Sequence, residues 1–256
     1  MRYFTSDWHL GSSNINMYAK RPFVSAGDAA KKLVDACNET AHWKTDVVFH
    51  VGDFWLKNTD RHGEVEDANV LTADVKEYLN FIYASFILLE GNHDTRNCES
   101  DLKSMYVDLN HNYRNIYVSH FPSYHQFYRG PSRFNEHGLK IVLCGHVHEK
   151  WLFMYDWKKN VLNVNVGVDQ WFYKPVSDVQ LTELLDYLKA YLFTKFTLRE
   201  DFSMDREHFD LFVKAKTIEV KEARIKRHAE KLKKKGLTPE ECERRKLEAM
   251  KAKGLI

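Results

Sequence analysis

The stretch Phe86-Ile87-Leu88-Leu89-Glu90-Gly91-Asn92-His93-Asp94 runs from an apolar segment straight into a glycine and three side chains able to bind a metal. The apolar part is too short for a helix and reads as a buried strand, and the glycine that follows marks a turn. The pattern recurs along the chain. Residues 3–6 precede Asp7-Trp8-His9, and residues 47–51 precede Gly52-Asp53. Residues 116–118 lead to His120, residues 141–144 to Gly145-His146-Val147-His148, and residues 161–166 to Gly167. Helical patterns lie between them. Residues 28–43 set Ala30, Leu33, Val34, Cys37 and Ala41 on one face, and residues 73–81 do so more weakly. Alternating strand and helix predicts an α/β domain with largely buried sheets. In open α/β sheets, sites assemble at the carboxyl ends of strands, so the turn residues are the candidates.

A chain of 256 residues, 44% hydrophobic and 14% aromatic, can bury a sizeable core, which excludes wholesale disorder. Its formal net charge of +2 hides a split. From Leu211 onward there are 15 Lys and Arg against 7 Asp and Glu, while the first 210 residues hold 23 against 29. An acidic body therefore carries a basic tail. Ser177 opens a capping box with Gln180, ahead of Leu181, Leu184, Leu185 and Leu188. Further on, Ala215, Ile218, Ile225, Ala229 and Leu232 follow helical spacing up to Gly236. Thr238-Pro239-Glu240-Glu241 starts another helix that runs to about Lys253 and closes at Gly254. These signals predict a body over residues 1–175 and a helical, basic extension over residues 176–256. Cys37, Cys98, Cys144 and Cys242 form no CxxC pair, so neither a disulfide framework nor a cysteine zinc site is expected. The chain opens without an apolar signal core and has no stretch approaching a membrane span, which predicts a cytoplasmic, soluble protein.

Each turn alone has an ordinary explanation, because glycine, asparagine and aspartate favour turns anyway. The whole set is harder to dismiss. Alternate residues of a strand point to one side, which predicts that Asp7 with His9, and His146 with His148, each face one way. Carboxylate, imidazole and amide oxygen combined suit manganese, iron, zinc, cobalt or nickel rather than calcium. Asp7, His9, Asp53, Asn92, His120, His146 and His148 are too many for one tetrahedral zinc but fit two ions sharing a carboxylate.

These ordered blocks, followed by Asn165-Val166-Gly167, resemble the calcineurin-like metallophosphoesterase superfamily. The opening Thr5-Ser6-Asp7-Trp8-His9-Leu10-Gly11, with Arg21-Pro22-Phe23 and Gly52-Asp53-Phe54-Trp55, is similar to small phosphoesterases of bacteria and their viruses. The resemblance implies two packed mixed β-sheets flanked by helices, and phosphoester hydrolysis by water activated between two divalent ions, manganese first among them. It implies that Asp7, His9 and His148 hold one ion, that Asn92, His120 and His146 hold the other, and that Asp53 bridges them. His93 is implied as a non-ligand that protonates the leaving group, with Asp94 orienting it. Leu56 departs from the family pattern, since many members carry a second aspartate there, three residues after the bridging one. The arginine that follows that longer motif in Ser/Thr protein phosphatases is missing too, which speaks against a protein phosphatase. The presence of His93 speaks against the metal-scaffold branch that has lost this histidine.

The substrate is less legible. Residues 121–134 join aromatic rings to Arg129 and Arg133 between two ligand blocks. Tyr124 and these arginines are candidates for stacking a base and holding phosphate, the plain alternative being a loop packed by its own aromatics. Arg96 is a candidate for touching the leaving group, or else a solvated arginine. His125 and His137 read as rim or packing residues, and His42, His50, His62 and His111 belong to no motif. The basic tail reads first as a solvated helical pair packed on the acidic body or on another subunit. Its second reading is a nucleic-acid contact through Lys231-Leu232-Lys233-Lys234-Lys235. The sequence thus points to a metal-dependent phosphodiesterase or phosphatase acting on a small nucleotide-like substrate, in the cytoplasm of a bacterial or virus-infected bacterial cell. The alternatives are a nuclease aided by the tail and a non-catalytic, metal-dependent interaction module. The oligomeric state is not legible.

Overall fold

The computed structural model describes residues 1–42, 45–56, 75–94, 100–128, 130, 139–190, 202–215 and 226. Short apolar strands bury both faces only when they are layered, and here they form two mixed sheets. In the first sheet, β1 (Arg2–Thr5) pairs in parallel with β2 (Val47–Val51), and β2 in parallel with β3 (Ser85–Leu89). The second sheet begins with β4 (Ser104–Val107), β5 (Ile116–Ser119) and β6 (Lys140–Cys144). It continues with the hairpin of β7 (Phe153–Asp156) and β8 (Val161–Asn165). Strands β5, β6 and β8 run parallel, while β4 and β7 are antiparallel to their neighbours. Two short strands complete the sheets: β9 (Val176–Ser177) lies antiparallel on β1, and β10 (Phe202–Met204) antiparallel on β7.

The helices flank these sheets. Among those described are α1 (Asn14–Tyr18), α2 (Ala26–Thr40), α3 (Val75–Asn80) and α4 (Asp178–Leu188). Helix α2 begins two residues before the expected start because Ser25 is its cap, accepting a hydrogen bond from the Asp28 N–H at 3.1 Å. Its Ala30, Leu33, Val34 and Cys37 pack against Tyr3, Val48 and Leu88 of the first sheet. Phe4 and Phe49, one residue out of step with Tyr3 and Val48, point to the opposite face and stack at 5.3 Å. At α4 both arms of the Ser177–Gln180 capping box are made, and Leu181, Leu184, Leu185 and Leu188 are buried as the spacing requires.

The chain divides into two compact units, Met1–Arg206 and Glu207–Ile256. Strand β10 puts part of the expected extension into the second sheet, whereas nearly all of the two tail helices lies outside the described residues. Among the described residues, no helix is long and apolar enough to cross a membrane. Strands β1, β2 and β3 run parallel and so finish on one edge, at Thr5, Val51 and Leu89. The parallel pair β5 and β6 finishes at Ser119 and Cys144, where the Gly145 N–H donates to the His120 carbonyl at 3.0 Å. The candidate residues follow these five ends.

Candidate metal centre

Beyond the strand ends the backbone turns left-handed. Asp7, His9, Asp53, His146 and His148 have φ of 61°, 50°, 56°, 73° and 49°. For side chains other than glycine that conformation costs roughly 1–2 kcal/mol per residue. The strand alternation expected to align Asp7 with His9, and His146 with His148, therefore does not hold, because β1 stops at Thr5 and β6 at Cys144. Each pair converges through its turned backbone instead. Hydrogen bonds hold the turns: Asp7 N–H to Gly52 O at 3.0 Å, His9 N–H to Asp53 O at 3.0 Å and Leu10 N–H to Phe54 O at 2.9 Å. The Asp7 carboxylate also accepts from the His146 N–H, at 3.0 and 3.1 Å to its two oxygens, which joins the ends of the two sheets.

Among the described residues, three groups of potential ligands result, each with ligand atoms within 4.8 Å of one another: Asp7, His9 and His148; His9, Asp53 and His93; and Asp53, His120 and His146. Asp53 Oδ2 lies 3.6 Å from His9 Nε2 and 3.2 Å from His120 Nε2, so one carboxylate oxygen faces both sides of the cluster. Asn92 Oδ1 is 3.0 Å from His120 Nε2 and 3.0 Å from His146 Nδ1. His120 Nδ1 is 2.9 Å from the Val51 carbonyl, which can only accept, so Nδ1 carries the proton. Its Nε2 then faces two acceptor oxygens, and a proton or a cation must sit among them.

The electrostatics agree. Burial pulls the His120 imidazole down, yet the Asp53 carboxylate raises it to about 9. Burial pushes Asp53 up, yet His120 beside it holds its carboxyl well below the usual range. Burial keeps His9 well below the ordinary imidazole value, and burial with the nearby His120 lowers His146 to about 4. Both ring nitrogens of His9 are buried without a hydrogen-bond partner. Buried polar atoms are rarely left so, and a lone pair aimed at an ion accounts for one of the two. Donor set and orphaned imidazole together fit divalent ions of the borderline kind.

The surroundings leave little slack. A Cβ at Gly91 would collide with the Asp53 backbone nitrogen and carboxylate, and one at Gly145 with Ser6 Oγ and the Asp7 carboxylate. Asp94 is fully buried and accepts backbone N–H bonds from Asp53, Phe54, Trp55 and Gly91. This grip on the Gly52–Asp53 turn had no signature beyond the aspartate's place in its motif. His93 donates its backbone N–H to Asp53 Oδ1 at 2.9 Å and sets its ring edge-on to His9, 5.2 Å away.

Of the residues singled out for substrate, Tyr124 is exposed on the loop after β5, while Arg96, Arg129 and Arg133 lie outside the described residues. His125, read as a rim or packing residue, stacks on Phe121 at 4.7 Å and meets the His146 ring at 4.6 Å. Phe127, half of its surface exposed, tilts against Phe121. His50 is buried among Trp8, Phe54 and Phe86, where burial lowers it to about 3. Sequence reasoning missed Arg21 and Asp169 as partners of the site. Arg21 stood in a noted motif, but nothing tied it to Asp169.

A family profile described as the calcineurin-like phosphoesterase superfamily domain matches residues 3–176, and the chain belongs to that superfamily. By class it is a metal-dependent hydrolase of phosphoesters. No curated protein matches the chain. Among solved structures it is similar to a protein of unknown function from Aquifex aeolicus, with 20% identity over 72% of this chain and 98% of that one and a TM-score of 0.48. It is also similar to the nuclease MPE of Pseudomonas putida, with 17% identity over 65% of this chain and 78% of that one and a TM-score of 0.35. At those scores neither likeness says anything about the reaction.

Proposed function

We propose that the chain is a binuclear phosphoesterase, a phosphodiesterase or phosphatase acting on a small nucleotide-like substrate. Asp7, His9 and His148 hold one divalent ion, Asn92, His120 and His146 hold the second, and Asp53 belongs to both. Manganese is the first choice of metal, with iron, zinc, cobalt and nickel compatible with the same donors. The observation that carries this reading is the place of Asp53 Oδ2 between His9 and His120, with a ligand group on either side. Ions bound there supply an activated water and positive charge that offsets the phosphoryl oxygens.

The chain's own residues do the rest. His93, at the rim of the cluster and half-buried, gives a proton to the departing oxygen, and Asp94 fixes the turn from which His93 projects. Tyr124, beside Trp151, and Phe127, against the Phe121 and His125 rings that pack on His146, offer exposed rings for a base, and Arg96, Arg129 and Arg133 remain candidates for phosphate. Free, buried Cys37 and Cys144 suit a reducing compartment such as the bacterial cytoplasm. The excess of Lys and Arg after Leu211 favours a second reading, a nuclease that holds its strand through that segment.

Metal analysis of the purified protein, followed by rates on a phosphomonoester, an open diester, a cyclic nucleotide and single-stranded DNA, tests both readings. Two ions per chain and fastest turnover of a small diester or monoester are expected. DNA as the best substrate selects the nuclease. Bound metal without hydrolysis of any of the four leaves the non-catalytic interaction module.

A further inference from the structure

His148 is held from three directions. Its ring stacks on His9 at 5.1 Å, and its backbone carbonyl accepts from Asn165 Nδ2 at 2.8 Å and Gln170 Nε2 at 3.2 Å. Its Nδ1 lies 3.3 Å from Oδ2 of Asp169, which sits in the 3-10 turn Val168–Gln170. Asp169 is itself clamped. Arg21 donates Nε–H to Oδ1 and Nη2–H to Oδ2, both at 2.8 Å, a bidentate pair with both side chains buried. The same guanidinium donates to the carbonyls of Asp7, at 2.6 Å, and Trp8, at 3.1 Å.

The geometry points to Asp169 and Arg21 as a positioning pair for the Asp7, His9 and His148 ligand group, acting through His148. The inference rests on the reading of those three residues as ligands. A carboxylate can only accept, so the bond from His148 places the proton on Nδ1 and leaves Nε2 as the nitrogen that faces Asp7 and His9. Arg21 engages both oxygens of Asp169 and ties it to the backbone of the turn that carries Asp7 and His9. The three ligands are thus fixed relative to one another across the two sheets. The other ligand group is built differently, because His120 Nδ1 rests on a neutral carbonyl, that of Val51. The two groups therefore differ in what orients their imidazoles, and the pair serves one of them alone.

Asp169→Asn keeps the shape, and Arg21 retains its two carbonyl partners, but the amide carries no charge and one acceptor oxygen, so its NH2 must face either Arg21 Nε–H or the donors that Oδ2 serves. Calorimetric titration of the full chain with manganese(II) chloride is expected to show two sites in the parent. In Asp169→Asn one site should weaken about 10–100-fold while the other keeps its affinity, with far-UV circular dichroism unchanged. Two unaltered sites, or two sites weakened alike, overturn the pair. Imidazole ¹⁵N spectra of the zinc-loaded parent provide a test that needs no folded Asp169 variant, with the His148 signals assigned by their loss in His148→Gln. A proton on Nδ1 and a metal-shifted Nε2 are expected, and a proton on Nε2 overturns the inference. A His148→Gln variant that keeps both sites at full affinity refutes the ligand reading itself, and the pair with it.

Discussion

Asp94 Oδ2 accepts the Asp53 N–H at 2.7 Å, so the turn after β3 grips the turn after β2. The same oxygen accepts from Gly91 at 2.9 Å, and Oδ1 accepts from Phe54 at 3.0 Å and Trp55 at 3.2 Å. Asp94→Ala leaves these buried donors without a partner, at about 1–3 kcal/mol for each one that water does not reach. A loss of several kcal/mol in urea unfolding is expected. Asp94→Asn should lose less, since one acceptor oxygen remains.

His93 and Asp53 should separate chemistry from metal binding. His93→Ala is expected to keep its metal by elemental analysis and to lose about 10²–10⁴-fold in kcat, the usual worth of a positioned general acid. Asp53→Asn is expected to lose metal as well as turnover. Because His93 also falls in a ligand group with His9 and Asp53, metal loss in His93→Ala would reassign it from acid to ligand.

Gly91 has no room for a side chain against the Asp53 turn. Gly91→Ala drives a methyl group into the Asp53 backbone and carboxylate, neither of which can move without dragging the site. A destabilisation of about 3 kcal/mol, the upper part of the range for overpacking, should appear in thermal melts together with weaker manganese binding.

The basic segment gives a charge test. Replacing Lys233, Lys234 and Lys235 by Glu should leave hydrolysis of a small diester unchanged within about twofold if the site alone handles the substrate. For a nuclease, the same variant loses affinity for single-stranded DNA, and its dependence on salt becomes shallower. Filter binding at two ionic strengths distinguishes the cases.

The parts of the fold legible in the sequence are those whose physics is local. Apolar runs ending in Asp7, Asp53, Asn92, His120 and His146 became strands with those residues at their ends, and Ser177 with Gln180 capped α4 as drawn. Strands β4, β7, β9 and β10 were not anticipated. β9 is only two residues long and β10 three, and each exists because of a partner far away in the chain, β1 and β7 respectively. The convergence of Asp7 with His9 was expected for the wrong reason, because a left-handed φ at histidine leaves no mark in composition. The Arg21–Asp169 contact spans 148 residues, and no periodicity connects its ends.

Five left-handed, non-glycine residues at the ends of β1, β2 and β6 have a consequence for how the chain tolerates change. Glycine would relax every one of these positions, yet every one of them carries a candidate ligand. A screen for thermostability alone, run on protein stripped of metal, should therefore drift towards Gly at His9 or His146 and erode the centre as it succeeds, while Asp7 and Asp53, which hold the His146 and His93 N–H groups, resist it. Selection for turnover pulls the opposite way, so these five residues are where robustness and function compete.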